Sequence, residues 1–265
     1  MESASRRDYQ KVAAAIDEPR YRLSAAQFEA FWRDGYLGPL PCDDGRVKEL
    51  PGIASRAGLR NHGDGRPIPP VESWDRTDLL HINVHDPHLR VPEIMGICAH
   101  ASIVNPVAQV LGSPQVAFFQ SRLRVKLRER ADPVPWHQDV GENNGGFRAD
   151  GSPVPSVTVW LSVDGAEAAS GCLRVIPGSH QRLLGNWHAG FHSGLEEGGA
   201  LAGIDTSRSI PIEAAPGEFY LFHSWTLHLS TANTSSSPRT GLVLRFVTPG
   251  DAVQPGTRYT RVRAG

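Results

Sequence analysis

A histidine and an aspartate stand two residues apart in "VPWHQDVG", residues 134–141, as His137 and Asp139, directly behind a proline and a tryptophan. Along an extended strand, residues i and i+2 share a face, so both side chains would enter one pocket with Gln138 turned away. An imidazole nitrogen beside a carboxylate oxygen suits a borderline divalent metal and calls for a third ligand from elsewhere in the chain. His228 is the candidate, at the end of an apolar run in "PGEFYLFHSWTLHLSTANTSSSPRTGLVLRF". His223 competes with it from five residues earlier, an odd separation that puts the two on opposite faces of a regular strand. Two histidines and one carboxylate make the facial ligand set of non-haem Fe(II) oxygenases, which leaves metal positions for a bidentate 2-oxo acid and for O2. Past the turn "TANTSSSP", Arg239 opens a further strand, and a hairpin there would set His228 and Arg239 on adjacent antiparallel strands. A guanidinium in a dry barrel grips a carboxylate through two bonds, so the co-substrate implied is 2-oxoglutarate. Arg245 is the alternative on the same strand face.

The elements that must position these residues change character along the chain. "SAAQFEAFWRDGY" predicts a helix with Ser24 as N-cap, Phe28, Phe31 and Trp32 on its apolar side, and Gly35 as its stop. Residues 39–70, rich in proline and glycine, read as loop. "VPEIMGICAHASIVNPVAQVLG" predicts a second helix or a broken pair ending at Gly112. From about Gln115 onward, short β-rich runs separated by turns take over: "QVAFFQSRLRVKL", "SVTVWLSVDG", "GCLRVIPGSH", "SIPIEAAPGEFYLFHSWTLHLSTA" and "TGLVLRFVTP". Such a series indicates a mainly β fold, a double-sheet jelly roll or related barrel with N-terminal and flanking helices. The chain is read as one domain over 1–265, with a helical part over about 1–114 and the β-core over about 115–250.

Composition narrows the function. A hydrophobic content of 40% supports a substantial core, and a formal charge of −1 without a basic block gives no reason to expect nucleic acid or an anionic membrane as partner. Three cysteines without a CxxC pair argue for a reducing compartment and against a disulfide framework or a cysteine zinc site. The N-terminal stretch has arginines and no apolar segment behind them, and no apolar run approaches the ~18 residues of a membrane span. A cytoplasmic enzyme acting on a small molecule is expected.

Three blocks in order resemble the phytanoyl-CoA dioxygenase family of Fe(II)/2-oxoglutarate oxygenases: Pro135 to Asp139; Trp160 through "SGCLRVIPGSH"; and His228, Ser230, Asn233, Ser235 and Arg239. The resemblance covers roughly 115–247. It implies a double-stranded β-helix, with His137, Asp139 and His228 as iron ligands and Arg239 as the anchor of the co-substrate's distal carboxylate. It further implies Ser230 as the hydroxyl neighbour of that carboxylate, with Gln120 and Trp160 lining the co-substrate pocket. Relatives that halogenate lack the carboxylate ligand, so Asp139 disfavours halogenation. The activity implied is hydroxylation, or another oxidation, of an aliphatic carbon. Two other classes stay open: a cupin-like metal-dependent isomerase or dioxygenase that does without the oxo acid, and a non-catalytic binding barrel that does without the metal.

Other histidines receive structural readings. His81, His85 and His88 in "LLHINVHDPHLRVP" read as a loop near the substrate entrance or as surface histidines, and His180 as part of a barrel-shaping turn, "PGSH". Asn143 and Asn144 read as turn residues. Two long irregular segments, one following Asp139 and one following the "PGSH" turn, read as lids. They offer Glu142, Arg148, Trp187, Phe191, Glu196 and Glu197 and suit a small or medium polar metabolite, such as an amino acid derivative or natural-product intermediate.

Overall fold

The computed structural model describes residues 2–62, 64–79, 81–130, 133–140, 151–152, 154–184, 201, 203–251 and 260–263. Among them lie helices α1 (Glu2–Ala15), α2 (Ala25–Asp34), α3 (Leu50–Arg56), α4 (Pro92–Cys98) and α5 (Ala101–Leu111). The strands are β1 (Tyr36–Pro41), β2 (His81–His85), β3 (Gln115–Lys126), β4 (Val134–His137), β5 (Val157–Ser162), β6 (Leu173–Val175), β7 (Ile210–Ile212), β8 (Glu218–His223), β9 (His228–Ser230), β10 (Arg239–Val247) and β11 (Thr260–Arg263). They form a seven-stranded sheet in the order β1-β8-β5-β10-β3-β11, with β2 also on β3, and a four-stranded sheet in the order β4-β9-β6-β7. Every pairing is antiparallel. This is the double-stranded β-helix of the cupin-like jelly rolls, with helices packed on one side.

Strand alternation in the large sheet separates core from site. Leu123 and Val125 of β3, Val159 and Leu161 of β5, Phe219 and Leu221 of β8, and Leu242 and Leu244 of β10 point outward. There they share one apolar cluster with Val12 and Ile16 of α1, Phe28 and Phe31 of α2, and Ile103, Val104 and Val107 of α5. Each aliphatic side chain buried in this way stabilises the fold by about 1.5–3 kcal/mol. The intervening residues face the small sheet, where Trp160, Tyr220 and Phe222 meet Cys172, Val175 and Ile212 in a second cluster.

The helices begin and end where their sequences say. Ser24 caps α2 in a capping box with Gln27, and Gly35, at φ 80°, closes it. The apolar segment before β3 is a broken pair: α4 and α5 are bent by 47°, and Gly112 caps α5 at φ 68°. No single helix among the described residues is long and apolar enough to cross a membrane. Although α4 and α5 together have the composition for it, α5 is buried from Ser102 to Val110.

Three expectations need correction. The N-terminal third is more than helix and loop, because β1 and β2 both join the large sheet. His81 and His85 are strand residues, with Ile82 and Val84 between them supplying the buried face, and His88 is buried with Nδ1 2.7 Å from Ser121 Oγ. His228 and Arg239 do not lie on an adjacent hairpin: β9 belongs to the small sheet and β10 to the large one. The connection crosses between the sheets because Asn233 ties it down, donating from Nδ2 to Lys126 O and Ser237 O at 3.1 and 2.8 Å and accepting from the Ser235 amide at 2.9 Å.

Candidate metal and co-substrate site

His137 closes β4 and His228 opens β9, and the two stand directly opposite each other in the small sheet. Asp139 lies just past the end of β4, where its amide donates to Ser224 O at 2.7 Å. The ligand-type atoms of His137, Asp139 and His228 lie within 4.8 Å of one another, the one such grouping among the described residues. Gln138 turns away, donating to Arg182 O and Trp225 O and accepting from the Leu184 amide, and so pins the turn that presents its two neighbours.

Each histidine is oriented by its own chain. His137 Nδ1 lies 2.8 Å from Pro135 O, and His228 Nδ1 lies 2.8 Å from Thr226 O. A carbonyl can only accept, so each Nδ1 carries the proton and each Nε2 presents a lone pair. Burial, followed by the neighbouring His228, pushes His137 down to about 3, which keeps it neutral. Burial alone would raise Asp139, but Arg245, His228 and His137 outweigh it and hold the carboxyl below the usual range. Two imidazoles with Nδ1 tied to backbone carbonyls and a carboxylate are a fitting donor set for Fe(II).

The large sheet supports the carboxylate from the other side. Arg245 Nη2 donates to Asp139 Oδ1 at 2.8 Å, and Thr158 Oγ1 donates to Asp139 Oδ2 at 3.1 Å. Gln120 Oε1 accepts from Arg245 Nη1 and so braces the arginine at the metal end. Thr158 is absent from the sequence reading. Its signal is parity, since it sits two residues before Trp160 on β5 and directly opposite Arg245.

Arg239 is at the far end of β10, with 2% of its surface exposed. Its Nη2 donates to Gly171 O at 2.6 Å, and its guanidinium carbon lies 5.4 Å from the centre of the Trp160 ring. Two glycines keep this cradle open. A Cβ on Gly241 would stand 2.7 Å from Trp160 Nε1 and 3.4 Å from Arg239 Nη1, and a Cβ on Gly171, at φ +74°, would stand 2.5 Å from Thr231 O. Ser230, 3% exposed, follows His228 by two residues and so shares its face of β9.

The remaining sequence candidates fall elsewhere. His223 packs against His180 and Trp32, accepts from the Trp225 amide, and is pushed down to about 3 by burial and then by His180. His180 itself sits in the "PGSH" turn beneath α2, with Nε2 3.1 Å from Trp32 O. Glu142, Asn143, Asn144, Arg148, Trp187, Phe191, Glu196 and Glu197 lie outside the described residues.

The family model for phytanoyl-CoA dioxygenase (PhyH) matches residues 62–241. A probable phytanoyl-CoA dioxygenase of Caenorhabditis elegans is 25% identical over 170 residues, 58% of this chain and 51% of that protein. The 2-aminoethylphosphonate dioxygenase of an uncultured bacterium is 27% identical over 159 residues, 58% of this chain and 53% of that protein. These alignments thus span about half the length of either relative. Among solved structures, EctD from S. alaskensis with 2-oxoglutarate and 5-hydroxyectoine superposes with a TM-score of 0.66 at 21% identity, over 90% of this chain and 79% of that one. The non-heme alpha ketoglutarate dependent carbocyclase SnoK from nogalamycin biosynthesis gives 0.66 at 18% identity, over 92% and 98%. With more than half of its length matched by the family model, the chain belongs to the phytanoyl-CoA dioxygenase (PhyH) family.

Proposed function

We propose that the chain is an Fe(II)- and 2-oxoglutarate-dependent dioxygenase that hydroxylates an aliphatic carbon of a small polar metabolite, an amino acid derivative or a natural-product intermediate. One observation carries this reading. His137, Asp139 and His228 are grouped closely enough to hold one metal ion, and Arg239 shares its strand and its inward parity with Arg245, which bonds Asp139, so the ligand set and the carboxylate anchor face each other across the two sheets. A metal-only isomerase would have no use for Arg239, and a passive barrel no use for two oriented imidazoles.

Iron bound by His137, Asp139 and His228 would supply, with O2, the oxidative decarboxylation of 2-oxoglutarate to succinate coupled to oxidation of a substrate C–H bond. The protein's own residues set the conditions. Arg239 receives the distal carboxylate through its planar fork, with Ser230 as the nearby hydroxyl and the Trp160 ring as the wall beneath the guanidinium. Arg245 and Thr158 hold the two oxygens of Asp139 in fixed directions, which keeps the carboxylate ionised and turned toward the histidines. Burial of this layer excludes bulk water and strengthens every charge contact in it. The relatives named for 2-aminoethylphosphonate and crystallised with 5-hydroxyectoine support a small polar substrate, and three free cysteines suit a reducing cytoplasm.

Anaerobic protein given Fe(II) and 2-oxoglutarate should develop a visible charge-transfer band and, on admission of air, form succinate. His137→Ala and His228→Ala should abolish both, and His223→Gln should keep them. Loss of the band in His223→Gln with retention in His228→Ala would overturn the ligand assignment. A metal-binding protein that never consumes 2-oxoglutarate would favour the isomerase class instead.

A further inference from the structure

β2 flanks β3 on the side away from β10, and its odd-numbered residues turn toward the metal set. Asn83 pairs with Arg124 and His85 with Arg122, and the same two positions of β3 pair with Gly241 and Val243 of β10. Cross-strand partners share a face. Arg245, on that face of β10, bonds Asp139, so Asn83 and His85 project on the site side of the sheet. The segment after α3 fixes the backbone of this edge: the Asn83 amide donates to Asn61 Oδ1 at 2.8 Å, and Asn83 O accepts from the His62 amide at 2.6 Å. The His62 ring stacks on His85 with ring centres 3.7 Å apart and planes 13° from parallel.

The fold pins these two residues by their backbone and leaves their side chains unused. Asn83 is 8% exposed, yet neither its Oδ1 nor its Nδ2 has a hydrogen-bond partner among the described residues, and Oδ1 is closed to solvent. His81, Arg122 and Arg124 around it are each engaged. His88, His100, His137, His180, His223 and His228 each hold a ring nitrogen within hydrogen-bond distance of another group. His85, half-buried, has no such bond among the described residues, and its ring contact is the His62 stack. Burial, then Arg122, push His85 down to about 3, with His62, Arg245 and Arg124 contributing further. The ring is therefore neutral at neutral pH and offers one N–H and one lone pair. The stack does not chelate a metal, because an ion lies in the plane of each imidazole it joins and two near-parallel planes do not meet at the ring edges. Buried polar groups are paired with few exceptions, and two unpaired ones on the same face as a metal set mark where a ligand completes them.

We propose that Asn83 and His85 form the subsite for an uncharged amide of the primary substrate, with His62 holding the His85 ring from behind. The inference rests on the dioxygenase reading and deepens it by naming the group that is recognised. The Asn83 carboxamide is a planar donor and acceptor in one unit, and it matches another amide in a pair of antiparallel hydrogen bonds. His85 adds a donor and an acceptor about 7 Å along the strand, within reach of the next polar group of a small molecule. A buried amide left unpaired by a ligand that lacks the N–H penalises that ligand, so the subsite selects as well as holds. It is distinct from the co-substrate cradle, where Arg239 pairs with Lys126 and packs on Trp160. An amide held on β2 leaves an aliphatic part of the molecule to extend across β3 toward Arg245 and the metal set.

The test is calorimetric titration of N-acetyl-L-leucinamide and N-acetyl-L-prolinamide, each beside its methyl ester, into anaerobic protein loaded with Fe(II) and 2-oxoglutarate. Wild type should bind at least one amide about tenfold or more tighter than its ester, the scale of one hydrogen bond lost from a buried partner. Asn83→Ala and the near-isosteric Asn83→Leu should each remove that preference. His85→Phe, which keeps the stack and loses the hydrogen bonds, should weaken amide binding by about tenfold. His62→Phe, which keeps the stack, should retain most of the affinity, and Arg90→Gln, at an exposed surface position, should match wild type. The 2-oxoglutarate affinity, read separately from the charge-transfer band, should change far less than the amide affinity in the Asn83 and His85 variants. A parallel fall in 2-oxoglutarate affinity would overturn the proposal by assigning the pair to the co-substrate. Equal binding of the esters, equal loss in Arg90→Gln, or no amide binding by wild type would overturn it as well. Absence of the band in wild type would instead sink the dioxygenase reading, so the two failures are told apart.

Discussion

In the small sheet, β4 and β9 are four and three residues long, and each histidine of the metal set is fixed by a carbonyl two residues back in its own chain. In the large sheet, β3 and β10 run for 12 and 9 residues, and their functional side chains are fixed by partners from other parts of the chain. Arg245 leans on Gln120 and Asp139, and Arg239 on Gly171 and Trp160. The small sheet thus supplies the metal donors and the large sheet supplies charge and register. Damage to the first should remove metal, whereas damage to the second, except at Arg245 and Thr158 where it bonds Asp139, should leave metal binding in place and misplace what lies around it.

Arg239→Ala is the strongest way to break that division. Truncating one partner of a buried charge-assisted pair costs about 2–5 kcal/mol, so the KM for 2-oxoglutarate should rise by roughly 30-fold or more. Metal affinity, measured in the absence of the oxo acid, should stay near that of wild type. If metal affinity collapses together with co-substrate binding, the two sheets do not act separately.

Arg245→Ala probes the charged link between the large sheet and Asp139. A residue that orients a metal ligand is worth about 10–100-fold in metal affinity, so Fe(II) or Co(II) binding should weaken on that scale. The effect on KM for 2-oxoglutarate at saturating metal should be smaller than that of Arg239→Ala. The reverse ranking would give Arg245 the anchoring role that the sequence left open between the two.

That ambiguity shows where sequence reading reaches its limit. The blocks around His137, His228 and Arg239 are legible because ligand chemistry demands particular residue types at particular spacings, and β3, β5 and β10 are legible as β-rich runs bounded by turn residues. The partnership of Arg245 with Asp139 and Thr158 is not, because it depends on register between strands distant in the chain. The second half of β1 falls in the stretch from residue 39 that reads as loop, because "YLGPLP" contains glycine and proline, and only its pairing with β8 makes it a strand. β2 was obscured because its alternate positions are His81, Asn83 and His85, residues that look like surface chemistry until β3 covers one edge. At three residues β9 is too short to show a period, so the crossing between sheets was read as a hairpin.

A smaller effect is expected from acid. His137 and His223 are both held at about 3 in the folded protein, mainly by burial. Unfolded histidine titrates near 6.5, so below that pH the unfolded chain takes up protons that the folded chain refuses. Stability of the metal-free protein should therefore be constant above about pH 7, fall between about pH 6.5 and 3, and be fully reduced below that window. Each such histidine contributes a slope of at most about 1.4 kcal/mol per pH unit. Urea midpoints measured across this range should show a shallower acid limb in His223→Gln. An unchanged limb would mean that His223 does not titrate against the fold.

The smallest expected effect lies farthest from the metal, at the start of α2. Ser24 Oγ accepts from the Gln27 amide at 3.2 Å, and Gln27 Oε1 accepts from the Ser24 amide at 2.9 Å. Ser24→Ala removes one half of this box and should cost about 1 kcal/mol, a Tm shift of about 2–4 °C. The opposite end of the same helix is tied to the site: Gly35 O accepts from the His223 amide at 2.9 Å and from Thr226 Oγ1 at 2.6 Å, and Asp34 O accepts from the Gly178 amide at 2.8 Å. Thr226 in turn offers the carbonyl that orients His228. A helix frays from its ends, so loss of the N-cap should loosen the first turn and leave the last turn, and with it the imidazole, in place. The charge-transfer band and the KM for 2-oxoglutarate should match wild type while the Tm falls. A Ser24→Ala protein with weakened metal binding would show that α2 transmits strain along its whole length to the small sheet, and that the metal donors depend on the helical layer as well as on their own backbone.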